Sequence, residues 1–316
     1  MKLHFSKTWT RKFNNEENVA EYGAGTSLSK SLILSSLTDS FEYDDWEKYP
    51  LKEMVKNNWI SATTKEIKDS AKIIMSSYFS NIWEGMPVNV LCKRTYHKNT
   101  TKNLDVYALT AWTARVLMRA NEECCPANYK EGTVDKGFLQ HIAQLSVYDD
   151  GPLRARDELA NNGIALIIER HLSKTYLDGG SFLDEKNRPV IGLTLRQDRI
   201  DNFWFTLLHE LSHVFMHLKT PGECFVDDTK EGDENDEKEK QANRCAREVT
   251  IPRSIWNRSK ANKFRTYDAI IELAEKQGIH PAIVAGRLRH ETGDYKLFSD
   301  LIKDSKVKFI FSEVDW

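Results

Sequence analysis

Two histidines four residues apart, with a glutamate beside the first, interrupt the apolar run FWFTLLHELSHVFMHL at residues 203–218. On a helix, positions four apart lie one above the other. His209 and His213 would therefore project two imidazoles from one face, with Glu210 next to the first. Neutral imidazole nitrogens are good Zn2+ ligands, and an open fourth position admits a water whose pKa the ion lowers to about 7. A carboxylate placed as Glu210 is can take that water's proton and pass it to a leaving amine. This is the H-E-x-x-H pattern. Apolar residues flank it at 203–205, 207, 208, 211 and 214–216, more cover than a solvated face needs. Buried polar groups are costly unless compensated, and one Zn2+ per chain would compensate these.

Such a site needs a third protein ligand. In EKQANRCA, Glu239, Ala242, Asn243 and Ala246 fall at 0, +3, +4 and +7, so they share a helical face. That face is small apart from Glu239 and Asn243, which suits close packing on the first helix. Glu239 is the expected ligand. Glu231, Glu234 and Glu237 are rivals, with Asp227 and Asp228 as further alternatives, although most of the acidic run reads as a solvated loop. Asn243, one turn from Glu239, could orient that ligand.

Other residues carry weaker signals. His217 continues the stripe four residues past His213 and reads most simply as a rim histidine, with support of the ligands from behind as the alternative. His280 or Arg287 could stabilise the oxyanion of a tetrahedral intermediate, which needs a fixed donor; capping or ion pairing explains each equally. Arg196 and Arg199 flank Asp198 and Asp201 and would brace the helix start, with Asp201 as its N-cap. An extended substrate could add a strand to a sheet edge. TYLDGGSF is the candidate edge, with Gly179 and Gly180 leaving room for another backbone; a plain hairpin bend is the alternative.

The elements that must position these residues read as α+β. Residues 1–42 form an arm or a degenerate helix-turn-helix. Residues 43–150 have a helical pattern: PLKEMVKNNWI puts Leu51, Met54, Val55 and Trp59 on one face, residues 64–79 continue it, and LDVYALTAWTARVLMRANEE is a strong helix. YDDGP is a plausible hinge. In 151–316, LRARDELANNG reads as a helix stopped by Gly163. IALIIE, KTYLDGGSFLD and PVIGLTL read as strands, with DEKNRP turning between the last two. The H-E-x-x-H helix follows, then a polar acidic crossover, PGECFVDDTKEGDENDEKEK, and a helix ended by Ile251-Pro252. Helices fill 266–303, and VKFIF suggests a last short strand.

Composition sets outer bounds. The 316 residues are 40% hydrophobic and 29% charged, with a net charge of −2, so nothing pushes the whole chain toward nucleic acid or membrane. No apolar stretch is long enough for a transmembrane helix, and the start lacks a signal-peptide core. Five cysteines without CxxC spacing fit reduced thiols and a cytoplasmic address.

Taken together, DGGSFLDEKNRPVIGLTLRQDRIDNFWFTLLHELSHVFMHL, FVDD, EKQANRCAREVTIP and the tail GIHPAIVAGRL resemble the ImmA/IrrE family of metallopeptidase domains over about residues 150–316. The resemblance implies a small gluzincin-like zinc protease with ligands at His209, His213 and Glu239 and a general base at Glu210. Some members cleave a repressor or antitoxin; others are fused to a helix-turn-helix and resemble HigA-type antitoxins. PLKEMVKNNWI is similar to the segment that follows the helix-turn-helix in those fusions. Only about 48 residues precede it here, and TSLSKSLILSSL holds one lysine and no arginine. DNA contacts need several basic and amide side chains, so docking of a protein partner is expected rather than autonomous DNA binding. The reading from sequence is a zinc endopeptidase acting on a regulatory protein of the repressor or antitoxin type. The alternative is a non-proteolytic, antitoxin-like regulator that keeps the zinc fold as a scaffold or sensor.

Overall fold

A computed structural model describes residues 45–80, 105–123, 125–184, 186–228, 237–303 and 305–316. The expected arm or degenerate helix-turn-helix at 1–42, and the rival ligands Glu231 and Glu234, lie outside them. Four strands form one mixed sheet: β1 (Ala165–Ile168), β2 (Leu177–Leu183), β3 (Pro189–Leu193) and β4 (Cys224–Asp228), in the order β1-β3-β2-β4. β1 runs parallel to β3, whereas β2 is antiparallel to both β3 and β4.

The first three strands are buried along their whole length, because helices cover both faces of the sheet. Successive side chains point to opposite faces. Ala165, Ile167, Val190 and Phe182 join one core with Met54, Met75, Trp112 and Leu117. These come from helices α1 (Leu51–Lys56), α3 (Ala71–Phe79) and α4 (Val106–Glu122). Between α1 and α3 lies α2 (Thr64–Asp69). Residues 64–79 are helical as their pattern suggests, but as two helices separated at Ser70, whose φ of −138° is not helical.

Leu166, Ile168, Ile191 and Leu193 face the other way, into a second core with Phe203, Trp204, Leu207, Leu208 and Leu211. Those five lie on α7 (Ile200–Met216). Before it come α5 (Lys136–Gln144) and α6 (Gly151–Asn161); after it come α8 (Glu237–Thr250), α9 (Arg253–Trp256), α10 (Lys260–Phe264), α11 (Tyr267–Gln277), α12 (Pro281–Thr292) and α13 (Ser299–Lys303). Packed against α7 are α5, α8 and α12. At the last contact Gly286 admits a close approach: a Cβ there would lie 2.6 Å from Asp201 Oδ2.

Three local expectations are corrected. The N-cap of α7 is Arg199, not Asp201. Asp201 stands inside the first turn and receives the Arg199 guanidinium, where the helix dipole favours a carboxylate. VKFIF is a 3-10 turn at Lys308–Ile310. The amides of Val307 and Lys308 donate to Asp198 Oδ1 instead of to a neighbouring strand. The acidic crossover begins with a strand, since CFVDD is β4. Among the described residues, no helix is long and apolar enough to cross a membrane.

Candidate metal centre

α7 carries the polar stripe through the core because Phe203, Trp204, Leu207, Leu208, Leu211 and Val214 bury the helix around it. His213 is 0% exposed and Glu210 1%. The spacing of four residues brings His209 Nε2 and His213 Nε2 to 3.0 Å. α8 packs against α7 through Ala242, Cys245, Ala246 and Val249; small side chains at 242 and 246 let the helices approach. One turn before Ala242, Glu239 reaches across, and its Oε2 lies 3.2 Å from His209 Nε2 and 3.4 Å from His213 Nε2. The candidate ligand expected from helical spacing is the one that arrives. Neither Glu237 nor any other acid joins these three in a potential metal-binding group among the described residues.

The geometry passes a test of fit. Tetrahedral zinc with bonds of roughly 2.0–2.1 Å requires ligand atoms about 3.3–3.4 Å apart. The three contacts here fall at 3.0, 3.2 and 3.4 Å. The donor set, two imidazoles and a carboxylate, suits the same ion. Burial, opposed by the Glu239 contact, holds the His213 pKa down to about 4, so its ring is neutral at pH 7, the form that ligates. The contact with Glu239 is then a convergence of atoms that could hold a metal ion rather than an ion pair.

Sequence reasoning missed two neighbours, Phe225 and Gln241, and favoured the rim for a third, His217. Phe225, on β4, stacks on the His213 ring at 4.2 Å and 21°; its strand was hidden by the acidic run that follows. His217 is not a rim residue. It is buried, with Nδ1 3.0 Å from His213 Nδ1 and Nε2 3.2 Å from Gln241 Oε1. The signal available was its place four residues beyond His213 on an apolar helix. Gln241, rather than the half-buried Asn243, is the α8 amide that reaches the histidines.

The weaker candidates have other engagements. His280 is the N-cap of α12, where its Nδ1 accepts from the Ala282 amide. Arg287 donates to Glu291 and to the Ile251 carbonyl, with its guanidinium 4.6 Å over Trp256. Capping and ion pairing thus account for the two residues suggested for the oxyanion. TYLDGGSF is not an edge, because β2 has β3 on one side and β4 on the other. The space at Gly180 is closed by the Phe225 carbonyl and the Phe182 ring, each 3.2 Å from where a Cβ would be. At Gly179 the neighbour is Glu210 itself: a Cβ would lie 2.8 Å from Oε1 and 2.8 Å from Thr206 Cγ2.

Residues 163–289 match the peptidase M78 family model, described as the IrrE N-terminal-like domain. The matched segment runs from the start of β1 into α12 and contains His209, Glu210, His213 and Glu239. It bears out the resemblance read from the sequence over that stretch, and a metallopeptidase-type function is supported; a helix-turn-helix fusion is not part of the match. A search of curated proteins finds no match.

Proposed function

We propose that the protein is a zinc-dependent endopeptidase that cuts a regulatory protein of the repressor or antitoxin type. The observation that carries the reading is the convergence of His209, His213 and Glu239 from two helices at spacings that fit one ion, inside the segment matching a peptidase family. Zinc held there would polarise the scissile carbonyl and ease deprotonation of an attacking water.

The remaining steps belong to the chain. Glu210 is not among the converging ligand atoms, which leaves its carboxylate to accept the water's proton and return it to the amine nitrogen. The apolar wall of α7 excludes bulk water and strengthens each of these interactions. β4 is a terminal strand of the sheet among the described residues. An extended peptide laid along it would pass beside His213, on which Phe225 of that strand stacks. The helical layer on the far face of the sheet is available for choosing the partner.

The deciding experiment is cleavage. The protein, purified with one zinc per chain, is incubated with regulatory proteins encoded beside it, and products are identified by mass spectrometry. A defined cut made by wild type and lost in Glu210→Gln supports the proposal. Equal biological activity of the two proteins would show that the metal serves a scaffold.

A further inference from the structure

We propose that Gln241 and His217 are positioning residues that fix the tautomer of His213 and so aim its Nε2 lone pair at the metal. This rests on the reading of His209, His213 and Glu239 as the ligand set. It concerns a chain of side chains behind that set: Glu237, Gln241, His217 and His213.

The chain can be followed from its outer end by asking which atom must donate. An ionised carboxylate only accepts. Glu237 Oε1 therefore receives the Gln241 amide nitrogen, Nε2, at 3.3 Å. That orientation turns Gln241 Oε1, an acceptor, toward His217 Nε2 at 3.2 Å, so His217 carries a proton on Nε2.

His217 Nδ1 then faces His213 Nδ1 at 3.0 Å, where one nitrogen must donate and the other accept. A doubly protonated His217 would put a cation in a buried position with only an imidazole and an amide as partners, which is costly. The neutral ring accepts at Nδ1, and His213 donates from its own Nδ1. One proton placement satisfies every contact from Glu237 to His213 Nδ1, and it leaves His213 Nε2 bare, as a metal ligand must be. That is the nitrogen 3.4 Å from Glu239 Oε2 and 3.0 Å from His209 Nε2.

Phe225 adds a wall. Its ring stacks on His213 and stands 5.6 Å from the centre of the His217 ring, so the imidazoles cannot swing away without unstacking. The side chain that begins the proton order, Gln241, is exposed on the surface of α8. A surface amide thereby sets the protonation pattern of a fully buried ligand.

Hydrogen-bond partners of ligating histidines typically affect metal affinity by 10–100-fold. The test is competition for zinc between the full chain and a chromogenic chelator. Gln241→Leu and His217→Phe should weaken binding about 10-fold or more. Gln241→Glu keeps an acceptor for His217, and His217→Gln keeps one for His213; both should stay within a few-fold of wild type. Nitrogen-15 correlation spectra of the histidine rings supply a readout that a packing role would not move. They should show His213 protonated at Nδ1 and His217 at Nε2, and in Gln241→Leu the His217 proton should redistribute between its nitrogens. If wild type binds zinc and Gln241→Leu and His217→Phe bind it equally well, or if His217 carries its proton on Nδ1, the relay is wrong. A wild-type chain with no affinity for zinc would instead overturn the ligand set itself.

Discussion

Gly179 and Glu210 face each other across the sheet–helix interface: a single methyl group added to the glycine would come within 2.8 Å of the Glu210 carboxylate. The glycine expected to admit substrate instead makes room for the proposed base. Gly179→Ala should push Glu210, with its neighbour Thr206, off position without touching a ligand. Misplacement of a catalytic group by about 1 Å can cost on the order of 100-fold, and overpacking typically costs about 1–3 kcal/mol of stability. The expected result is cleavage reduced about 10–100-fold with zinc content unchanged. Full activity in this variant would mean that Glu210 is not held where the reaction needs it.

Glu210→Gln and Glu239→Ala should fail in different ways. The first keeps shape and removes the base, so zinc content and melting temperature should stay near wild type while turnover falls about 100-fold or more. The second removes a ligand. Zinc affinity should drop, and the metal-dependent part of the stability with it, because an ion bound only by the folded state stabilises that state. Metal analysis beside thermal melts with and without chelator separates the two. Loss of zinc in Glu210→Gln would recast that residue as a ligand.

The parts legible in the sequence were those with a strong local period. The four-residue repeat of α7 and the 0, +3, +4, +7 face of α8 gave the helices, and their facing sides gave Glu239. β1, β2 and β3 were visible as apolar runs. β4 was not, because three apolar residues leading into a string of acids look like a loop; only pairing with β2, more than 40 residues earlier, makes them a strand. The same long-range pairing turned TYLDGGSF from an edge into an inner strand. VKFIF misled for the opposite reason. Val307 and Phe311 are buried while Phe309 is 73% exposed, an alternation that a 3-10 turn bound to Asp198 produces as readily as a strand. His217 needed the third dimension: its neighbour Gln241 comes from another helix.

Acid should destabilise the metal-free chain in a defined window. Burial holds the His213 pKa at about 4, against about 6.5 for an unfolded histidine. Between these values the unfolded chain binds more protons than the folded one, so stability rises with pH across the window and falls as pH drops from 6.5 toward 4. From this group alone the loss would be on the order of 3 kcal/mol. Burial also lowers the pKa of His217 and His280, which adds in the same direction. Urea unfolding with chelator present, at pH 7.5, 6 and 5, measures it. His213→Gln should flatten the dependence; an equally steep slope in that variant would assign it to other groups.

The last prediction concerns what ties the helical layer to the sheet under the metal site. Glu169, immediately after β1, accepts the Trp59 indole N–H at 3.1 Å through Oε1, while Arg115 and Arg119 approach Oε2 at 3.2 and 3.5 Å. Trp59 follows α1, and both arginines belong to α4, so one buried carboxylate joins two helical elements to the strand. Removing the carboxylate strands the buried Trp59 N–H and takes the counter-charge from two part-exposed arginines, at a cost of roughly 1–3 kcal/mol. Glu169→Ala should lower stability by that amount, whereas Glu169→Gln retains an acceptor for Trp59 and should lose less. The consequence extends to the metal. β1 pairs with β3, and β3 with β2, whose Gly179 abuts Glu210. A cooperative assembly should therefore lose zinc and helical signal in one transition that shifts together in Glu169→Ala. Two separate transitions, with zinc retained after the helical layer melts, would show that the peptidase-like half holds its site without that layer.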